Sequence, residues 1–406
     1  MATKNAEVKE WTVIGAGAAG ISYLTQLLST RLDSKDALWI DQEFNGGAFK
    51  DYQDVPGNTK VSGFITWATA NSELKKLASH SSNPLEELRK LNPEDTCGLG
   101  IVHKVMARYT KLLQQQVDHR TGYVCKLEFD NNSSVWNIFI KQNSSAEGTN
   151  SNQNQPVVLK SRNVCLATGA KPLVHTNLHL GLPNKETISF SDALNLNYLK
   201  TNVKSGDVIG IVGGSHSAFV MMYLFEQLNI PNLSIVNFYK GEVRYAVYKK
   251  DFILYDNTGL KGKVGAWAKS ILEGKAKTNF GLTRINVATE EQKVSEYIPR
   301  CSKFIYAHGF VKSMIPEIIY KLPEAVGFDE VKDVKPNIAP FLEYSNINGR
   351  MMVPSSFQDF VPVEGLYGFG YGFPEKIITR VGEMEYNIGL MKFGMCAERW
   401  ISMIKM

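Results

Sequence analysis

Short apolar runs alternate with longer segments of helical spacing along this chain, and that pattern predicts an α/β protein. Residues 11–14 form the first apolar run, residues 15–20 form a glycine-rich turn, and apolar residues recur at helical spacing up to residue 28. Residues 208–227 repeat the same order. The pattern therefore predicts two strand-turn-helix units. We call residues 15–20 the first turn and residues 213–218 the second turn.

The first turn has the glycine spacing of dinucleotide-binding folds and reads Gly15-Ala16-Gly17-Ala18-Ala19-Gly20. Gly15 allows the tight turn, Gly17 lets the backbone approach a diphosphate, and Gly20 lets helix and strand pack closely. The helix start at Ala18 and Ala19 attracts phosphate charge. Asp41 ends the next apolar run, where a carboxylate is expected to accept from a ribose hydroxyl. A tight turn in some other βαβ unit is the alternative.

The second turn has small residues at the same three positions, namely Gly213, Ser215 and Ala218. His216 and Ser217 lie between them and are also expected to contact the ligand. No acidic residue takes the ribose-binding place at the end of the next strand, and Lys240 and Arg244 lie there instead. Cations suit a 2′-phosphate, so this site is predicted to prefer NADPH over NADH. Solvated side chains on a loop are the alternative for these two cations, and a structural hydrogen bond is the alternative for His216.

Runs of β-forming residues predict further strands. Residues 123–129, 135–141 and 157–159, which precede residues 163–169, are expected to form a meander of strands that returns to the first sheet. The almost purely polar residues 143–155 between them predict a flexible surface loop. Another strand is expected at residues 303–307. A last strand leads into a glycine-rich segment where Gly370 lets backbone approach a ligand, with a sharp turn packed with aromatic rings as the alternative.

Composition and charge narrow the classes of function. Of 406 residues, 44% are hydrophobic and 21% charged, which excludes global disorder. The net charge of +5 is too small to indicate a nucleic-acid partner. The five cysteines form no CxxC or CxxxxC pair, so neither a zinc knuckle nor a local redox disulfide is predicted. We expect no membrane span and, since no secretory signal is visible, a cytoplasmic protein. The sequence says nothing about the oligomeric state.

These motifs together resemble those of the class B flavin monooxygenases, including the flavin-containing monooxygenases and the ornithine or lysine N-hydroxylases. In those families the first turn binds FAD, and a Gly-Gly-x-aromatic segment lies near the flavin; Gly46, Gly47 and Phe49 match it. Residues 55–60 resemble the stretch whose asparagine approaches the flavin, so that catalytic role is assigned to Asn58. Thr168 and Gly169 resemble the ATG turn that links the FAD and NADPH domains. The second turn resembles a GxGQSA pattern with His216 in place of glutamine.

The resemblance implies an α/β fold with two Rossmann-like dinucleotide-binding domains, in which the NAD(P)H domain is inserted into a discontinuous FAD domain. The expected parts are residues 1–200 and 311–406 for FAD and residues 201–310 for NAD(P)H. It implies a monooxygenase that uses FAD, NADPH and O2. Such an enzyme transfers one oxygen atom from a flavin C4a-hydroperoxide to a nucleophilic nitrogen or sulfur of a small substrate. An oxidoreductase or oxidase without oxygen transfer, and a non-catalytic FAD-binding protein, are the alternatives.

Two departures from the family pattern keep those alternatives open. The FxGxxxHxxxY/W signature is missing between the two turns, where His175, His179 and the apolar residues 188–194 stand instead. The C-terminal segment also lacks the Gly-Asp pair with which disulfide reductases hold the flavin. That absence, together with the missing CxxxxC pair, weighs against a disulfide reductase without establishing oxygen transfer.

Overall fold

The computed structural model describes residues 7–80, 84–141, 156–173, 185–321, 337–354 and 360–404. The segment predicted as a flexible loop, residues 143–155, lies outside this part of the chain, and so do His175 and His179.

The larger sheet has ten strands within the described residues. At its parallel centre, Val8–Ile14 lies between Val157–Leu166 and Ala37–Asp41. The buried parts of these strands, at residues 11–14, 37–40 and 164–166, are mostly apolar because helices or loops cover both faces of the sheet. The predicted meander is confirmed, since Tyr123–Asp130, Val135–Lys141 and Val157–Leu166 pair antiparallel in that order. The other strands of this sheet are Asp118–Thr121, Glu317–Ile319, Glu343–Tyr344, Arg350–Pro354 and Phe360–Gly368.

The second sheet has five strands, and all of their pairings are parallel. In spatial order the strands are Glu186–Thr187, Lys303–Tyr306, Val208–Val212, Ser234–Tyr239 and Gly281–Asn286. The chain therefore leaves the first sheet, builds a complete second sheet, and returns to the first at Glu317–Ile319. The predicted α/β fold with two Rossmann-like units is confirmed.

Four two-stranded ribbons connect or border the two sheets. The ribbon of Ala170–Pro172 with Phe310–Lys312 joins the outgoing and returning links between the sheets, side by side and antiparallel. This pairing fixes the two links to each other. The remaining ribbons pair Pro56–Lys60 with Thr96–Gly98, Val247–Tyr248 with Ile253–Leu254, and Glu375–Ile378 with Met384–Asn387.

Helices cover the faces of both sheets. Ala18–Thr30 follows the first turn and packs on Leu390–Ser402, so it is buried along most of its length. This contact brings the last described helix onto the first one. His216–Leu228 follows the second turn. The other α-helices are Val61–Ala68, Ser72–Ala78, Leu85–Arg89, Leu99–Gln114, Leu196–Asn202, Gly262–Leu272 and Glu291–Tyr297, and short 3-10 helices lie at Ser34–Asp36, Gly47–Tyr52, Asp192–Leu194 and Ala339–Phe341.

Candidate functional site

The two turns have the same backbone geometry. The amide of Gly15 donates to the Ile40 carbonyl at 2.8 Å, and the amide of Gly213 donates to the Phe238 carbonyl at 2.8 Å. Each turn therefore crosses the end of the neighbouring parallel strand in the same way. Asp41, the last residue of Ala37–Asp41, therefore corresponds to Tyr239, the last residue of Ser234–Tyr239.

Glycine is required at the start of each turn. Gly15 and Gly213 have φ values of +115° and +143°, a region that side-chain-bearing residues avoid. A Cβ at Gly15 would lie 2.3 Å from the Ala167 carbonyl oxygen, and one at Gly213 would lie 2.2 Å from that of Ala307. Ala167, which precedes the predicted Thr168-Gly169 turn, and Ala307, which precedes His308-Gly309, thus lie against the two turns in the same way.

Backbone from distant parts of the chain lines the first turn. A Cβ at Gly47 would lie 2.7 Å from the Cα of Gly17, and one at Gly370 would lie 2.2 Å from the Cβ of Ala19. The neighbouring Gly46 has a φ of +86° and is buried. Helix Ala18–Thr30 begins without a side-chain cap, so its first amides are donors for a ligand. The structure thus brings together the predicted Gly17, Ala19, Gly46, Gly47 and Gly370.

Asp41 lies beside the first turn with a fixed carboxylate. Its Oδ2 accepts from the amide of Ala16 at 2.8 Å, and its Oδ1 accepts from the amides of Glu43 and Phe44, each at 2.8 Å. A carboxylate has about four acceptor positions, so one remains for a ribose hydroxyl. The same contacts hold the 41–44 loop against the turn.

The predicted linker turn meets the C-terminal glycine segment. A Cβ at Gly372 would lie 2.7 Å from the Gly169 carbonyl oxygen, which also accepts from the amide of Ser313 at 3.0 Å. The Thr168 hydroxyl is shielded from solvent and has no hydrogen-bond partner among the described residues. The ring of Phe49 lies 5.9 Å from that of Tyr52, on the 3-10 helix that follows Gly46. Thr168 borders the first turn, since its amide nitrogen would lie 3.5 Å from a Cβ at Gly15, and Phe49 follows Gly47 on the 3-10 helix.

Asn58 and the second turn meet between the two sheets. Nδ2 of Asn58, in the strand Pro56–Lys60, lies 3.4 Å from Nε2 of His216, the first residue of the helix His216–Leu228. Ser215 caps this helix without a side-chain hydrogen bond, Ser217 is half-buried and Ala218 is buried. Burial, followed by the charge of Lys261, lowers the pKa of His216 to about 4. The imidazole is therefore neutral near pH 7.

The cations near the second turn differ from one another in their surroundings. Lys240 is exposed, whereas the Arg244 guanidinium pairs with Glu383 at 2.8 Å. Arg284, on the adjacent strand, stacks on the ring of Tyr239 at 4.0 Å and donates through Nε to Asn237 at 3.0 Å. Burial lowers the pKa of Arg284 from its usual range. The sequence gives no signal for Arg284 beyond a lone basic residue.

A cluster of paired charges, which we call the ionic junction, lies on the Asp256–Lys261 loop. Asp256 pairs with Lys261 at 2.7 Å and with Lys392 at 2.5 Å, while Glu385 accepts from Asn257 and Thr258, each at 2.9 Å. Burial disfavours the Asp256 carboxylate, but the two lysines outweigh it and hold its pKa below the usual range. The junction joins the inserted segment to the C-terminal hairpin and helix. The sequence showed only a turn-rich segment here.

The residues present fit a flavin dinucleotide at the first turn, because side-chain-free backbone and an uncapped helix start form a cradle that a Cβ would fill. The described residues contain no group of three or more His, Cys, Asp or Glu side chains that could hold a metal ion. None of the helices described is both long and apolar enough to cross a membrane.

No protein-family model matches the chain. A curated relative, Monooxygenase AgnR1 of Paecilomyces divaricatus, is 28% identical over 399 residues, and the match covers 94% of each chain.

Solved structures with the same fold are flavoproteins. The ornithine N-hydroxylase of Kutzneria sp. 744, in complex with reduced FAD, NADP⁺ and L-ornithine, superposes with a TM-score of 0.61 at 10% identity over 98% of both chains. The cadaverine monooxygenase of Erwinia amylovora, bound to FAD, superposes with a TM-score of 0.57 at 10% identity and covers 97% of this chain and 92% of that one. The predicted resemblance is confirmed at the level of the fold.

Proposed function

We propose that this chain, which has the fold of the two-dinucleotide flavoprotein monooxygenases, is an FAD-dependent monooxygenase that consumes NADPH and O2. It transfers one oxygen atom to a nucleophilic nitrogen or sulfur of a small substrate. The relative AgnR1, which is a monooxygenase matched over almost the whole chain, supports this reaction class.

One observation carries the proposal. The chain forms two turns of equivalent backbone geometry, and Asn58, before the inserted second sheet, lies 3.4 Å from His216 at the helix start of the second turn. An electron donor held at the second turn and an acceptor held at the first are thereby brought together. A protein that only stored FAD needs no second turn of this kind.

The first turn is the FAD site in this proposal. The amides at the start of Ala18–Thr30 bind the diphosphate, and the free acceptor position of Asp41 binds a ribose hydroxyl. Gly46, Gly47, Phe49, Thr168, Gly169 and Gly370 border the remaining length of the cofactor. When bound, the flavin supplies the redox chemistry and the activation of O2.

The second turn binds the nicotinamide dinucleotide, with Gly213, Ser215, His216, Ser217 and Ala218 at the diphosphate. Tyr239 stands where Asp41 stands in the first site, and Arg284 is stacked against it. No carboxylate occupies the position of Tyr239, and cations lie close to it. This arrangement favours a 2′-phosphate and hence NADPH. Lys240 and Arg244 flank the same end of the site.

The protein's own contribution between the turns is positioning and exclusion of water. Asn58 presents its amide to the reacting part of the flavin, and His216 is neutral there at physiological pH. Lys261 of the ionic junction acts on His216 through its charge, which helps to keep the imidazole neutral. Fixed hydrogen-bond donors in a site shielded from water stabilise developing charge better than water does.

Anaerobic reduction followed by a pulse of ¹⁸O2 tests the proposal. The FAD-loaded protein should be bleached by NADPH, and then, with a panel of primary amines and thioethers, one product should gain a single ¹⁸O atom. Bleaching followed by stoichiometric hydrogen peroxide with every compound would instead support an oxidase. A flavin that NADPH does not bleach would support the non-catalytic alternative.

A further inference from the structure

The contact between Asn58 and His216 determines which imidazole nitrogen of His216 carries the proton. The Thr59 hydroxyl donates to Oδ1 of Asn58 at 3.4 Å, which turns the amide nitrogen toward the imidazole. An amide nitrogen only donates, so Nε2 of His216 must accept. In a neutral imidazole the proton then lies on Nδ1.

That Nδ1–H group lacks an acceptor. Nδ1 is shielded from solvent and has no hydrogen-bond partner among the described residues. A buried donor without a partner costs about 1–3 kcal/mol, so a ligand oxygen is the natural acceptor. His216 is the first residue of a 13-residue helix that starts without a side-chain cap, and such helix starts bind diphosphates.

We propose that His216 is a positioning residue that couples the two dinucleotide sites: Nε2 holds the Asn58 amide, while Nδ1–H donates to a diphosphate oxygen of the nicotinamide dinucleotide. The inference rests on the proposed function. In the first turn Ala18 occupies the equivalent position and has no such group, so the coupling belongs to the second turn alone. Binding at the second turn thus fixes the imidazole, and the imidazole fixes the amide beside the flavin.

The test uses calorimetric titration of FAD-loaded protein with three ligands. NADP⁺ and 2′-phospho-ADP-ribose contain the diphosphate, whereas adenosine 2′-monophosphate keeps the 2′-phosphate and has no phosphate at the 5′ position. His216→Phe should weaken the first two about 10- to 100-fold, the range of a hydrogen bond to a charged group. It should leave the third unchanged. His216→Gln, whose amide can accept and donate at once, is the matched control and should bind all three like the parent.

A second readout reports the coupling. Saturating NADP⁺ should change the flavin absorption bands of the parent and of His216→Gln, but not those of His216→Phe. Three results would overturn the inference: unchanged affinity of His216→Phe for the two diphosphates, an equal loss for the 2′-monophosphate, or a loss confined to NADP⁺, which would place the contact at the nicotinamide. If the parent binds none of the ligands, the proposed function itself fails.

Discussion

The two turns share a backbone but are completed in different ways. Around the first turn, glycine backbone from residues 46–47 and 370 lies against the helix start, and one carboxylate, Asp41, is held by three amides. Around the second turn, side chains take these places, with His216 at the helix start and Tyr239 where Asp41 would be. A backbone cradle suits a cofactor that stays bound, whereas side chains suit a ligand that must be recognised and released.

Even a shared contact is made by different residues. The carbonyl of Gly15 accepts from the indole nitrogen of Trp39 at 3.0 Å, and the carbonyl of Gly213 accepts from the amide of Asn237 at 2.7 Å. Asn237 also accepts from Arg284. Asn237 therefore holds the guanidinium of Arg284 near the second turn. Among the described residues, the indole of Trp39 holds no cation near the first turn.

The largest expected effect is at Gly17. Its φ is −81° and a Cβ would lie 3.7 Å from the Cα of Gly47, so Gly17→Val fits the empty fold but fills the cradle. The variant should fold, yet bind FAD at least about 100-fold more weakly, because backbone can no longer approach the diphosphate. The ratio of flavin to protein absorbance after purification measures this. Gly241→Val, where a Cβ meets nothing within 4 Å, is the control. Full FAD retention in Gly17→Val would contradict the assignment.

The pH dependence of stability should show the next largest effect, because His216 has no counterpart in the first turn. Its pKa is about 4 in the folded protein and about 6.5 when unfolded. The unfolded state therefore binds the proton first, and stability is lost as pH falls from about 6.5 to 4. Linkage puts this loss at about 3 kcal/mol. His216→Gln should lose less stability over that range in chemical denaturation, and parallel curves for the two proteins would argue against a buried neutral imidazole.

Exchanging the residue that differs between the turns should change the choice of coenzyme. Tyr239→Asp gives the second turn the carboxylate of the first, which attracts a ribose hydroxyl and repels a 2′-phosphate. We expect the preference for NADPH over NADH to fall about tenfold or more, in line with a charged contact of about 1.5–3 kcal/mol. Initial rates of flavin reduction by each coenzyme measure it. Tyr239→Phe should keep the preference, and the same preference in all three proteins would refute the correspondence.

The smallest effect is expected from the exposed cations. Replacing Lys240 and Arg244 together by alanine should weaken NADPH more than NADH, by about threefold to tenfold. Both side chains lie in water, and exposed charge contacts contribute at most about 1 kcal/mol each. Arg244 also pairs with Glu383. Glu383→Gln removes this competing carboxylate and should therefore bind NADPH slightly better. Equal losses for both coenzymes would contradict a phosphate role.

Local patterns predicted the elements that form the two sites. Both turns, the strands of the meander, the strand at 303–307 and the strand from residue 366 into the glycine-rich segment follow from apolar runs and glycine spacing. Each of these signals is read within a few residues, since backbone geometry at a tight turn depends on the residue itself. The predicted domain boundaries and the individual contacts with cofactors stay predictions.

Long-range pairings could not be predicted in the same way. Nothing near Arg284 in the sequence indicates that its guanidinium stacks on Tyr239, since the two belong to strands separated by a hairpin and a helix. The ionic junction joins residues 256–261 to Lys392 and Glu385, which lie far along the chain. Polar residues of this kind look like ordinary solvated loop residues until the fold brings their partners close.

The sequence by itself therefore determined that the chain forms two dinucleotide turns on parallel strands, because glycine positions and apolar periodicity act locally on the backbone. Only the tertiary structure decided how the turns differ. It placed Asn58 against His216, set Gly370 against Ala19 and gave Tyr239 the place of a carboxylate. These relations depend on which distant segments pack together, and packing in three dimensions follows from the whole set of buried contacts rather than from any one motif.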